Sequence, residues 1–118
     1  MEKDLSERLE NFAVEIIKLV EKISRSFVGR HVAGQLLSAA TSAGANYEEA
    51  CGAESRADFV HKLQIVLKEL KESLFWLRLI SKAGLIAKEE VIGVLREGKE
   101  LTSIIAKSIV TAKKIRKT

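Results

Sequence analysis

Four apolar runs, each recurring at spacings of three and four residues over far more than the length of a strand, restrict this chain to packed helices. Such a stripe gathers on one face of a helix, whereas a strand with its two-residue period would scatter it over both faces. In the first run Leu5, Leu9, Phe12, Ile16, Leu19, Val20 and Ile23 predict a helix over about 5–25. Asp4 and Glu7 have capping-box spacing at its start, and Lys22 and Arg25 suit the negative end of its dipole. Gly29 is expected in the connection that follows.

The second helix is expected over about 31–52, with Ala33, Leu36, Leu37, Ala40, Gly44, Tyr47 and Cys51 on one stripe and Gly52 at its end. Ser55 and Asp58 repeat the capping spacing ahead of Phe59, Leu63, Leu67, Leu70, Leu74, Leu77 and Ile80, so a third helix is read over about 56–82. Lys82 and then Gly84 supply a last-turn cation and a left-handed cap, over which Leu85 and Ile86 can close. The fourth, about 88–115, opens with Glu89 and Glu90 and is expected to bury Val91, Leu95, Leu101, Ile105, Ala112 and Ile115. Gly93 and Gly98 weaken it, each by about 1 kcal/mol relative to Ala.

Four such helices joined by short loops pack most simply as an antiparallel up-down-up-down bundle, an all-α fold in one domain spanning residues 1–118. Composition agrees: there is no proline, there are seven glycines, and 118 residues suffice to bury roughly two-thirds of the unfolded surface. Cys51 is the sole cysteine, which excludes an internal disulfide and a cysteine metal cluster and fits a reducing compartment. No uncharged run reaches the ~18 residues of a membrane span, and "MEKDLSERLE" lacks the apolar core of a signal peptide. A soluble cytoplasmic protein without a membrane partner is the expectation.

Candidate chemistry is sparse. Metal-binding bundles use Glu-x-x-His pairs, but Asp58 stands three residues before His61 and Val28 before His31, so no metal or other cofactor is expected. Glu69 and Glu72 near Trp76 resemble an acid/base pair, yet on a helical wheel they share a flank with Asp58, Lys62 and Ile65, which fits pairing between helices better. No phosphate loop, nucleophile elbow or Ser-His-Asp order is present, so neither an enzyme nor a small-molecule substrate is inferred. Charge is uneven: residues 1–60 hold 7 Lys/Arg against 10 Asp/Glu and residues 61–118 hold 13 against 6, giving −3 and +7. The basic tail "AKKIRKT" can contact phosphates; a solvated helix end satisfying its own dipole is the plainer alternative.

The most informative stretch is "QLLSAATSAGANYEEA". From Val32 to Tyr47, 16 residues pass without one Asp, Glu, Lys or Arg in a chain that is 31% charged. Leu36, Leu37, Ala40, Gly44 and Tyr47 fill the bundle-facing stripe, Ala39, Ala43, Asn46 and Ala50 a second ridge, and Gly34, Ser38, Thr41 and Ala45 a third side. An outer helix should be charged on its solvent face, and three partner helices cannot enclose one completely. The expectation is a second subunit packed on Ser38, Ala39, Thr41, Ser42, Ala43, Ala45 and Asn46. Asn46, Glu49, Lys62, Glu69 and Glu72 are expected to form a polar flank that sets register.

The segments Asn46 to Ala50 and Asp58 to Glu69, patterned NYxEA and DFxxKLxIxLKE, closely resemble the four-helix-bundle family encoded by intervening sequences in bacterial 23S ribosomal RNA genes. The resemblance spans about residues 5–85; beyond them it lies in pattern alone. It implies an up-down-up-down bundle, a homo-oligomer in the form of a ring-shaped pentamer, and no known enzymatic activity. The accessory proteins of diversity-generating retroelements are similar in architecture and bind nucleic acid on a basic surface, which by analogy implies an RNA- or DNA-associated scaffold; a protein-binding adaptor is the alternative. Ser38 and Glu48 stand where this family commonly carries a basic residue, so the expected nucleic-acid contacts shift to Lys107, Lys113, Lys114, Arg116 and Lys117.

Overall fold

The computed structural model describes the backbone of residues 2–117 and the side chains of residues 5–115. Among them are four helices and no strand: α1 (Glu2–Val20), α2 (Phe27–Cys51), α3 (Arg56–Lys82) and α4 (Lys88–Lys117). Only α3 has the bounds expected from its sequence. Ser55 caps it by accepting from the Asp58 backbone N–H at 3.1 Å. At the far end Leu85 N–H donates to Ile80 O at 3.0 Å and Gly84 N–H to Ser81 O at 3.2 Å. These two bonds make a Schellman motif around Gly84, whose φ of 72° is the left-handed conformation that favours glycine.

Three expected boundaries are corrected. α1 begins at Glu2, so Asp4 lies inside the helix rather than capping it, and its side chain is outside the described residues. It stops at Val20 because Lys22 and Ile23 N–H turn to the carbonyls of Leu19 and Val20, at 3.0 and 3.1 Å. α2 begins four residues earlier than expected, at Phe27, because Ser26 Oγ accepts from Gly29 N–H at 3.0 Å. Gly29 therefore belongs to the first turn of α2, not to a connection. A Cβ there would stand 1.9 Å from Ser24 O, so the turn closes against the preceding segment only with glycine.

Each helix touches two neighbours: α2 lies against α1 and α3, and α4 against α3 and α1. Contacts of α1, with the turn that follows it, of α2 and of their neighbours run in reversed sequence order. Ser6 bonds Glu48 while Ser24 meets Gly29; Glu49 pairs with Lys62 while His31 meets Trp76; Arg8 pairs with Glu97 while Lys22 pairs with Glu90. The assembly is a rod of 51 × 21 × 20 Å around a core that includes Phe12, Ile16, Leu36, Leu63, Leu70, Leu77, Leu101 and Ile105, all fully buried. Gly98 stands beside Phe12 and Leu74, where a Cβ would come 2.8 Å from Leu74 Cδ2, so this glycine of α4 serves packing. Leu95 is only half-buried and Ile115 is 51% exposed, contrary to their expected burial.

Candidate functional site

The uncharged stretch of α2 divides between inside and outside. Ala39 and Ala43, expected on a subunit interface, are 2% and 0% exposed and belong to the core of their own bundle. Their methyl groups let α2 approach its neighbours closely; at Gly44 a Cβ would be 3.9 Å from the Leu9 carbonyl oxygen of α1. Ser42 and Asn46 are half-buried at the edge. Ser38, Thr41 and Ala45 face outward together with Gly34, leaving an exposed stripe of small uncharged residues. Thr41 Oγ1 turns back on its helix and donates to Leu37 O at 2.8 Å.

The polar flank forms only in part. Lys62 pairs with Glu49, linking α3 to α2. Asn46 Nδ2 instead donates to Ser42 O at 2.9 Å, one turn back on α2, so it is satisfied without reaching across. Glu69 is half-buried, and burial, followed by the like charge of Glu72, raises its pKa above the ordinary value while Lys68 opposes the shift. The expected five-residue network is thus one ion pair, one local hydrogen bond and one repelling pair of carboxylates.

Lys107, Lys113 and Lys114 are exposed on α4 and have no ion-pair partner among the described residues; the side chains of Arg116 and Lys117 lie outside those residues. The charges that pair between α1 and α4 escaped the sequence reading. Arg8 forms a fork with Glu97, Nε to Oε2 at 3.0 Å and Nη2 to Oε1 at 2.9 Å, and also reaches Glu100 at 2.6 Å. These hydrogen bonds hold the guanidinium pKa above its ordinary value. No local spacing announces a pair that far apart along the chain.

Also missed were exposed apolar side chains at the opposite end of the rod: Phe27 at 81%, Val28, Phe75 and Leu79. Phe75 packs edge-on against Trp76, which meets His31 in the same manner. His61 is exposed. Among the described residues no group of three or more His, Cys, Asp or Glu could hold a metal ion, and no helix is long and apolar enough to cross a membrane.

A search of curated proteins finds no match. Among solved structures, the chain is similar to a protein of unknown function from the S23 ribosomal protein family of Bacteroides thetaiotaomicron, at 33% identity and a TM-score of 0.82, covering 89% of this chain and 97% of that one. The sequence pattern of the 23S rRNA-intervening sequence proteins matches residues 2–107, nearly the whole bundle. The chain belongs to the 23S rRNA-intervening sequence protein family.

Proposed function

We propose that this protein is a non-enzymatic, cytoplasmic scaffold that associates with RNA or DNA as a homo-oligomer of antiparallel up-down-up-down bundles. The reversed order of the cross-helix contacts supports the antiparallel arrangement. One observation carries the nucleic-acid reading: from Leu101 onward the chain holds Lys107, Lys113, Lys114, Arg116 and Lys117 and no acidic residue. Such a cluster neutralises phosphates without reading bases, so binding should be strong at low salt and tolerant of sequence. The outward stripe Gly34, Ser38, Thr41 and Ala45 is the subunit contact, and the count of five follows the family resemblance.

Filter binding with a structured RNA across a salt series tests this reading. If all five cations engage phosphates, affinity should fall on the order of 10²- to 10³-fold between about 50 and 200 mM salt. Replacing Lys113 and Lys114 by Gln should flatten the logarithmic slope by about one per lost contact. Light scattering on dilution through the micromolar range should show an oligomer; a monomer throughout would remove the assembly. Flat or absent RNA binding would favour a protein-binding adaptor, the reading to which the exposed Phe27, Val28, Phe75 and Leu79 point.

A further inference from the structure

A cleft of about 620 Å³ opens where the start of α1, the end of α2, the start of α3 and the later turns of α4 meet. Its floor is apolar and reaches the core at Tyr47, Leu63 and Ala112, all buried, while half-buried Leu5, Phe59 and Ile104 form its walls. Arg8, Arg56 and Lys107 border it, and among the described residues no Asp or Glu does. Glu97 and Glu100 occupy Arg8. Arg56 and Lys107 are exposed cations without an ion-pair partner among the described residues.

The size falls within the roughly 300–1,000 Å³ typical of sites for small organic molecules. The lining selects among them. A nucleobase or sugar would bury several donors and acceptors, yet the hydroxyls offered are those of Ser108, already donating to Ile104 O at 2.9 Å, and Thr111, besides the Tyr47 phenol. An alkyl chain demands no such partners and gains from leaving water. Arg56 and Lys107 then select a negative head group, for which a guanidinium offers a two-pronged contact to carboxylate.

We propose that this cleft binds a free medium-chain fatty acid, its alkyl chain over Tyr47, Leu63 and Ala112 and its carboxylate at Arg56 and Lys107. The test is calorimetry on the full chain with octanoate, decanoate and laurate, kept below micelle-forming concentrations. Affinity should rise about three- to fourfold per added methylene until the cleft is full. Dodecyltrimethylammonium, with a tail one methylene longer and the opposite charge, should still bind at least about tenfold more weakly than laurate. Arg56→Gln should weaken laurate about tenfold, and since Arg56 is not among the α4 lysines expected to hold nucleic acid, this loss reads the cleft alone. Thr111→Trp, at an exposed lining position, should block laurate with helicity unchanged.

Equal affinity for the cationic and anionic tails, affinity independent of chain length, or full laurate binding by Arg56→Gln would overturn the assignment. So would binding to anionic phospholipid vesicles without binding of monomeric laurate, which would assign the surface to a membrane. Should Thr111→Trp fail to fold, the Arg56→Gln titration and the charge-reversed tail still decide.

Discussion

Gly29→Ala adds one methyl group in the first turn of α2. That carbon would stand 1.9 Å from Ser24 O and 3.0 Å from Ser24 C, where unstrained heavy atoms keep about 3.5 Å. Both are backbone atoms and cannot rotate aside, so the connection over residues 21–26 must shift and, with it, the Ser26 cap on Gly29 N–H must open. Overpacking of this kind costs about 1–3 kcal/mol and a lost cap about 1, while better helix propensity returns at most about 1, leaving a net loss near 2 kcal/mol. Gly34→Ala makes the same chemical change in the same helix where nothing lies within 4 Å, and should stabilise by up to about 1 kcal/mol. The pair should therefore differ by about 3 kcal/mol. Urea unfolding followed by circular dichroism measures it, repeated at two protein concentrations so that self-association is separated from bundle stability. Equal stability of the two variants would refute the close approach of Gly29 to Ser24.

Three further outcomes can be checked on the same protein. Gly84→Ala forces a side chain into a φ of 72° and should lower stability by about 1–2 kcal/mol in the same unfolding assay. A double-mutant cycle on Arg8→Gln and Glu97→Gln should give a coupling of about 0.5–1 kcal/mol that shrinks toward 1 M salt, because both side chains are about a third exposed and the pair is screened. Glu69 has a folded pKa raised above the ordinary 4.5, so its contribution to stability is present below that pH and lost as pH rises through the folded value. Glu69→Gln should accordingly exceed the wild type in urea midpoint at neutral pH and match it near pH 3, and an NMR titration of Glu69 should move downward in Glu72→Gln.

Legibility followed the range of the forces involved. The bounds of α3 could be read because both of its stops, Ser55 and Gly84, act within a few residues of where they stand. The end of α1 could not, since Ile23 keeps the helical spacing and is buried, yet reaches the core from a turn beyond the helix. The start of α2 was hidden for the opposite reason: Phe27 and Val28 are helical but point to solvent, so the apolar pattern is silent there. In the candidate site the pairing of Lys62 with Glu49 followed from the expected adjacency of two consecutive helices, whereas Asn46 chose its own backbone one turn away. Helical wheels place a side chain on a flank; they do not say whether an acceptor within its own helix is nearer than one across the groove.

What the amino-acid sequence alone determined was the existence of four helices, the caps of α3 and most of the stripe each would bury, because these depend on contacts between residues a few positions apart. Tertiary structure decided which small residues of α2 face inward, leaving Gly34, Ser38, Thr41 and Ala45 outside while Ala39 and Ala43 are enclosed. It also decided that Arg8 meets Glu97 and Glu100, and that Leu5, Phe59 and Ile104 wall a cleft instead of closing on one another. Those outcomes depend on how helices rotate and how far their ends overlap. Rotation and overlap are set by the packing of the whole core at once, so no local spacing encodes them.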